Sequence, residues 1–246
     1  MDKIHVGTMG WSYRFWVDNF YPKNLAAGQY LSEYAKHFDT VEIDSTFYRT
    51  PSRSTVERWK DQTPPDFLFS AKFPKTITHE KVLRNCEMEV DRFIERISHL
   101  RPKLGPLLLQ FPSTFKTEHL HLLSDFLPSL PKGHRIAVEV RNKKLLIDRL
   151  YSILRENGAA LTILDRSSMP EIEVITTDFT YIRWERDRKK VNGTLGKIEV
   201  DRLNEIKVWA QKIRRYLKTP VEVFGYFSKY YSGHPPTDVQ QLLQAL

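Results

Sequence analysis

In Thr40-Val41-Glu42-Ile43-Asp44, apolar side chains alternate with acidic ones. A strand of a parallel barrel packs one face against helices and turns the alternate face toward the barrel interior. Val41 and Ile43 suit the helix layer, so we expect Glu42 and Asp44 to share the inner face. The stretch therefore predicts a barrel strand that carries carboxylates into a polar interior.

Seven further apolar runs have the length of strands, and amphipathic helical patterns separate them. Such alternation favours parallel pairing through right-handed crossovers. We predict an α/β fold that forms a single (β/α)8 TIM barrel over residues 1–246. The barrel is expected to be irregular between strands six and seven, because residues 165–178 show no convincing helix. An open doubly wound sheet is the alternative. The predicted strands are Ile4–Met9, Thr40–Ile43, Phe67–Phe73, Leu107–Phe111, Ile136–Val140, Ala160–Leu164, Thr180–Trp184 and Val221–Phe227.

Composition limits the class of protein. The one cysteine, Cys86, excludes an internal disulfide framework and a CxxC zinc or redox site. No basic and apolar leader precedes Ile4, and no apolar run approaches the roughly 18 residues of a membrane span. We therefore expect a cytoplasmic protein without a membrane partner. The formal net charge of +8 favours anionic partners, an anionic small molecule first and nucleic acid second; nothing in the sequence predicts the oligomeric state.

The alternation seen at Glu42 recurs in other strands and predicts a ring of polar side chains at the upper end of the barrel. Active sites of this fold lie at the carboxyl ends of the strands. Buried ions must pair, stay hydrated or bind a ligand, so the ring is either a ligand site or a structural salt-bridge network. The predicted ring consists of Glu42, Asp44, Lys72, Gln110, Glu139, Arg141, Arg183 and Glu185.

Four of these residues are candidate catalytic groups: Glu139, Asp44, Glu42 and Lys72. Glu139 and Asp44 are the first acid/base candidates, because burial raises a carboxyl pKa whereas a neighbouring cation lowers it. The sequence does not decide which is the acid and which the base. Lys72 suits ion pairing or anion binding, with Schiff-base chemistry as a further role if burial lowers its pKa.

Other residues are candidates for binding the substrate. The guanidinium groups of Arg141 and Arg183 suit two-point recognition of an anion, or bridges to Glu139 and Glu185. Aromatic side chains after the strands suit stacking on a sugar or base, or ordinary loop packing. The basic loop over residues 185–197, with Gly193 and Gly196, suits a phosphate-binding loop or lid, or a solvated loop. The remaining candidates are Gln110, Trp11, Tyr13, Tyr48, His79 and Lys229.

Several motifs are missing from the sequence. It contains no GxSxG, Walker or GxGxxG element, which disfavours serine hydrolases, P-loop NTPases and Rossmann proteins. The eight histidines form no HxxxH or HExxH pattern. We therefore assign no metal ligands from the sequence, and the cofactor is left unknown.

Longer blocks of the sequence resemble the YecE-like family, domain of unknown function seventy-two. The resemblance rests on Gly7–Tyr13, Phe20–Pro22, Thr40–Arg49, Phe69–Pro74 with Ile77–His79, Leu104–Pro112 and Ala137–Arg141. It implies a TIM barrel and supplies no established activity. The sequence departs from the usual family pattern at three places, with Asn142 after Arg141, Glu185-Arg186 in place of a His-Gly pair, and Ser228-Lys229 in place of an Asn-Asn pair.

These observations leave three functional hypotheses. The first is a barrel enzyme that acts on a phosphorylated, nucleotide or sugar-like small molecule through carboxylate acid/base groups and Arg/Lys anchors, with hydrolase, lyase and isomerase chemistry all open. The second is a nucleic-acid-binding or processing protein, suggested by the net charge and the basic loop. The third is a catalytically silent binding scaffold, suggested by the departures at Asn142, Glu185 and Ser228.

Overall fold

The computed structural model describes residues 3–246 and contains eight parallel strands. The strands pair in the order β1-β8-β7-β6-β5-β4-β3-β2. A parallel bridge between Met9 and Glu42, with the N–H of Gly10 donating to the carbonyl of Glu42 at 2.8 Å, joins the two ends of the sheet. The predicted TIM barrel is confirmed. The strands are β1 (Ile4–Thr8), β2 (Thr40–Ile43), β3 (Leu68–Lys72), β4 (Leu104–Gln110), β5 (Ile136–Glu139), β6 (Ala160–Asp165), β7 (Phe179–Trp184) and β8 (Glu222–Phe227).

Helices follow most strands and cover the outside of the sheet. They are α1 (Tyr30–Tyr34), α2 (Arg53–Asp61), α3 (Glu87–Ile97), α4 (Leu120–Ser129), α5 (Asp148–Glu156), α6 (Leu203–Leu217) and α7 (Pro235–Gln244). Their apolar faces are buried; on α5, for example, Leu150, Ile153 and Leu154 pack inward. Beyond that helix, Gly158 has φ +60°, the left-handed conformation that ends a helix well.

Two separate apolar clusters result from the alternation of side chains along the strands. The larger lies between sheet and helices and includes Val41, Ile43 and Ile182. The smaller fills the barrel interior below the polar ring and includes Leu108, Tyr181 and Tyr226. The interior is therefore packed, and only its upper layer is available for charged groups.

The connection between β6 and β7 contains no helix, as predicted from its sequence. It is held instead by Thr176, whose hydroxyl donates to the carbonyl of Ala159 at 2.6 Å and accepts the N–H of Leu161 at 2.9 Å. The segment also carries Arg166, whose guanidinium reaches the top of the barrel.

Across residues 3–246, none of the helices combines the length and the apolar character that a bilayer crossing requires.

Candidate functional site

A cavity of about 340 Å³ opens at the carboxyl ends of the strands. We call it the mouth cavity. Most of its lining is polar, and it includes side chains from β2, β3, β4, β5, β7 and β8 or from the loops that follow them. The lining residues are Met9, Tyr13, Asp44, Phe47, Tyr48, Lys72, His79, Gln110, Arg141, Arg183, Glu185, Arg188, Ser228, Lys229 and Tyr230.

Arg183 lies at the floor of the cavity among three buried carboxylates. Its Nε and Nη2 donate to the two oxygens of Glu42 at 3.0 and 2.9 Å. Its Nη1 donates to Glu139 at 2.6 Å and to Glu185 at 2.8 Å. Tyr181 donates its hydroxyl to Glu42 at 2.7 Å. One guanidinium thus joins β2, β5 and β7 through the barrel interior.

Two further arginines complete this network. Arg141 donates to Glu139 at 2.7 Å and to Glu185 at 2.6 Å. Arg166 donates to the second oxygen of Glu185 at 2.6 Å. Three carboxylates and three guanidinium groups therefore pair with one another. For these residues the ring has the form of the structural salt-bridge network that was one of its two alternatives.

The network keeps two of its carboxylates, Glu139 and Glu185, ionised. Burial alone would raise the pKa of Glu139, but the charges of Arg183, Arg141 and Lys72 outweigh it and lower the pKa to about 2. Burial likewise opposes ionisation of Glu185, and Arg183 again outweighs it, so that this pKa is lowered. Burial raises the pKa of Glu42 in spite of the bidentate contact to Arg183. Glu139 and Glu185 remain ionised at neutral pH and are poor proton donors.

Lys72, the last residue of β3, lies outside this network. It is 7% exposed, and its Nζ donates to Oε1 of Gln110 at 2.6 Å and lies 3.8 Å from the centre of the Phe47 ring. Burial, assisted by the positive charge of Arg183, lowers the pKa of its ammonium group to about 8. A substantial neutral fraction therefore exists near physiological pH.

Asp44 follows β2 and faces the same cavity. Among residues 3–246 no side chain forms a salt bridge with it, in contrast to Glu42 two positions earlier. Burial raises the pKa of its carboxyl, and the positive charge of Lys72 opposes the shift. Asp44 is therefore the carboxyl group of the cavity that is free to exchange a proton.

His79 and Tyr13 form part of the wall. Nδ1 of His79 lies 2.8 Å from the hydroxyl of Thr78, and burial together with the charge of Lys72 lowers the pKa of the imidazole to about 4. The imidazole is neutral at physiological pH. Tyr13 donates its hydroxyl to the carbonyl of Met9 at 2.7 Å, and burial raises its pKa above the usual value. Its phenol is thus occupied as a donor.

Arg188 and Lys229 form the cationic rim of the cavity. Both lie against Tyr230, with the charged group 4.7 and 5.2 Å from the ring centre. Within residues 3–246 neither side chain has a carboxylate at salt-bridge distance. Because two like charges share one ring, an anion placed between them would relieve their repulsion.

The loop that carries Arg188 is packed onto the barrel top. Gly196 has φ +66°, and a Cβ at this position would lie 1.9 Å from the carbonyl oxygen of Phe15. Gly193 has φ +72°, and a Cβ there would lie 2.8 Å from the carbonyl oxygen of Lys229. Glu199 accepts the N–H of Gly193 at 2.7 Å. Both glycines therefore serve close packing of the loop, and they hold Arg188 over the cavity.

The family described as "Protein of unknown function DUF72" matches residues 5–246. The chain belongs to the DUF72 family. UPF0759 protein YecE of Escherichia coli strain K12 is 38% identical over 167 residues, which span 66% of this chain and 59% of that protein. UPF0759 protein YunF of Bacillus subtilis is 24% identical over 99% of this chain and 94% of that protein.

Solved DUF72 structures have the same fold. A DUF72 family protein from Thermotoga maritima superimposes with a TM-score of 0.81 at 25% identity, over 98% of both chains. One from Enterococcus faecalis gives 0.79 at 21% identity, over 99% of this chain and 95% of the other. The resemblance read from the sequence blocks is thereby confirmed, and neither the relatives nor the structures carry a name that states an activity.

In this DUF72 chain, most of the predicted site residues surround one cavity. Glu42 and Glu139 lie directly beneath it, bonded to Arg183, which lines it. Tyr48 stands at its edge with 72% of its surface exposed. Trp11 lies outside, where its ring packs edge-on against Trp59 of α2 with the centroids 5.6 Å apart. The other predicted members line the cavity: Asp44, Lys72, Arg141, Gln110, Tyr13, His79 and Lys229.

Six contributors were absent from the predicted site residues: Met9, Phe47, Arg166, Arg188, Ser228 and Tyr230. Arg188 and Tyr230 lie in loops whose basic and aromatic content is visible in the sequence, and Ser228 directly follows β8 at the strand end. Arg166 lies in the irregular connection before β7. No sequence pattern marks it as a site residue, because a contact between positions 166 and 185 depends on the fold of that connection.

Two positions at which the chain is expected to depart from the family pattern, Asn142 and Glu185, have clear structural roles. Asn142 accepts the N–H of Lys144 at 3.1 Å and donates to the carbonyl of Phe115 at 3.1 Å. Glu185 binds three arginines.

Among residues 3–246, no three His, Cys, Asp or Glu side chains are grouped so that they could hold a metal ion.

Proposed function

We propose that the mouth cavity is the active site of an enzyme. Its substrate is an anionic small molecule that is phosphorylated, a nucleotide or sugar-like, and a side chain of the cavity donates a proton to this substrate or accepts one from it. One observation carries this proposal. Lys72, Arg188 and Lys229 all face the cavity, and within residues 3–246 none of them is engaged in a salt bridge, whereas Asp44 is the corresponding free carboxylate. A bound anion would balance this excess of positive charge.

The two kinds of carboxylate in the site have different roles in this proposal. Glu42 and Glu139 hold the guanidinium group of Arg183 in a fixed orientation and are therefore positioning residues in this proposal. Asp44 is half-buried and unpaired, and its raised pKa, for which burial is the main cause, suits the transfer of a proton. His79 lines the same cavity with a neutral imidazole, and its lowered pKa of about 4 makes it a weaker proton acceptor than an ordinary histidine.

Binding can be measured by titration calorimetry at low salt with inorganic pyrophosphate as the probe. We expect Arg188→Gln and Lys229→Gln each to raise the Kd about tenfold, the effect of one lost charge-assisted hydrogen bond. Lys190→Gln is the matched control, because Lys190 is exposed on the same loop and does not line the cavity. Equal Kd values for all four proteins would contradict the anion site.

Activity is then screened with sugar phosphates and nucleotides, and Asp44→Asn is compared with the wild type. We expect the variant to retain pyrophosphate binding and to lose about a hundredfold or more in kcat, the usual contribution of a general acid or base. If pyrophosphate bound tightly and no compound were turned over, the silent scaffold would be the better description.

One observation favours the nucleic-acid alternative. A second cavity, of about 620 Å³, adjoins the mouth cavity, since Tyr48 lines both. Arg49, Arg92 and Arg96 line it, and an exposed aromatic ring between two cationic cavities suits a base with flanking phosphates.

This alternative predicts that a short single-stranded oligonucleotide binds with an affinity that falls steeply as salt is raised. Arg92→Gln should weaken binding, whereas Arg84→Gln, an exposed arginine that lines neither cavity, should not. Fluorescence anisotropy at several salt concentrations distinguishes the two candidates, because the small-molecule site does not require Arg92.

A further inference from the structure

Lys72 differs from every other cation at the floor of the mouth cavity in lacking a counterion. Arg183 and Arg141 each contact two or more carboxylates. The Nζ of Lys72 instead contacts the amide oxygen of Gln110 and the face of the Phe47 ring. Within residues 3–246, no carboxylate lies at salt-bridge distance from it. Burying an ammonium without a partner carries a desolvation cost, and this cost favours the neutral amine, which is the nucleophilic form.

We propose that Lys72 is a nucleophile that forms an imine with the carbonyl carbon of an anionic aldehyde or ketone bound in the mouth cavity. The proposal deepens the proposed function, on which it rests, by assigning a carbonyl group to the anionic substrate. The anion is held by Arg188 and Lys229 on the rim, and the carbonyl reaches the floor, where Lys72 lies.

The bond changes balance without a further reactant. The neutral amine of Lys72 attacks the carbonyl carbon, and a carbon–nitrogen bond forms while the carbonyl π bond breaks. Proton transfer from nitrogen to oxygen gives a carbinolamine. Protonation of its hydroxyl group expels water and leaves a protonated imine. Asp44, which is unpaired and lines the same cavity, is the group proposed to carry these protons.

The surroundings of Lys72 suit both forms of the nitrogen. Burial and the charge of Arg183 lower its pKa to about 8, so about a tenth of the amine is neutral at pH 7. The protonated imine restores a positive charge at the same place, where the Phe47 ring and the Gln110 oxygen already stabilise one. The charged and titratable groups that face Lys72 are Arg183, Glu139, Glu42, Arg141, Asp44 and His79.

Pyridoxal 5′-phosphate tests the proposal, because it combines an aldehyde with a phosphate group. The protein is incubated with this compound, reduced with borohydride and analysed by peptide mass mapping over time. We expect Lys72 to be modified at least tenfold faster than any other lysine, with a rate that saturates and is slowed by inorganic phosphate. Lys72→Met should abolish this fast phase. Lys75→Met, which removes a lysine paired with Glu80 at 2.8 Å just beyond β3, should leave it unchanged.

A second measurement needs no variant. The rate of modification of Lys72 in the wild type should reach half its maximum near pH 8, whereas exposed lysines should do so near their usual pKa of about 10.4. Modification of Lys72 at the rate and with the pH profile of exposed lysines would overturn the proposal. If pyrophosphate still bound in calorimetry, the anion site would stand without the nucleophile. Selective modification of Lys72 that phosphate did not slow would support the nucleophile and contradict the anion site.

Discussion

Arg183 donates two hydrogen bonds to Glu42, at 2.9 and 3.0 Å, in a bidentate pair that spans the barrel interior from β7 to β2. The same guanidinium bonds to Glu139 on β5 at 2.6 Å. Three strands that are not neighbours in the sheet are thereby tied together beneath the mouth cavity. The pair holds the floor of the site in one geometry. The side chains above it, among them Lys72 and Asp44, take no part in this network and can contact a ligand.

Replacing Arg183 should strongly destabilise the fold. Arg183→Met leaves Glu42 and Glu139 buried and short of a counterion, and breaking one partner of such a network costs about 3–5 kcal/mol. Urea unfolding at pH 7 measures the change. Arg53→Met is the control, since Arg53 forms an exposed pair with Glu57 and its loss should be barely measurable. Adding Glu42→Gln to Arg183→Met should recover part of the loss; no recovery would mean that buried charge is not its cause.

The lowered pKa of Glu139 predicts a defined acid dependence. Its folded-state pKa is about 2 against an ordinary 4.5, because the arginine charges outweigh burial. Such a group contributes stability that is complete above about pH 4.5 and is lost as the pH falls toward 2. The difference in unfolding free energy between the wild type and Glu139→Gln should thus shrink over this window, by on the order of 3 kcal/mol. A difference that stayed constant between pH 5 and 2.5 would contradict the assignment.

The fold was predictable because the information lies in local patterns. Alternation with a period of two assigned Glu42, Lys72 and Arg183 to the inner face, and each faces inward in the structure. The limits of the strands agree closely, apart from β4, which begins at Leu104 instead of Leu107. Gly105 and Pro106 favour a turn in isolation, yet β4 pairs with β3 on both sides of them, through Leu104 and, after a register shift, through Leu107.

The partners within the site could not be predicted in the same way. Alternation states that Arg183 points inward, but whether it reaches Glu42 or Glu185 depends on strand register and on rotamers across the barrel. The lack of a counterion at Lys72 likewise cannot be read from the sequence, since Glu42 lies in the neighbouring β2 and Asp44 directly follows it. Trp11 follows Gly10, whose φ of +84° turns the chain, and its ring packs on Trp59 and not in the cavity.

The loop over the cavity should depend on Gly196. Gly196→Ala places a Cβ against the carbonyl oxygen of Phe15 at a backbone conformation that L residues rarely adopt. We expect the loop of residues 186–200 to detach from the barrel top, with faster hydrogen exchange there and weaker pyrophosphate binding, because Arg188 is displaced. Gly28→Ala is the control, since no atom lies within 4 Å of its Cβ position and its φ is not in the left-handed region. Unchanged exchange in Gly196→Ala would show that the loop adapts locally.

Lys72 should reduce the stability of the protein below about pH 8. Burial and the charge of Arg183 lower its folded pKa to about 8 from 10.5, so the unfolded chain binds more protons between these values and stability rises with pH across that window. Relative to Lys72→Met, the wild type should therefore gain on the order of 3 kcal/mol as the pH rises from 7.5 to 10.5. Chemical denaturation of both proteins at matched pH isolates the effect of this residue. Saturating pyrophosphate should reduce the gain, because a bound anion favours the charged amine. A gain that pyrophosphate left unaltered would indicate that the anion does not bind next to Lys72.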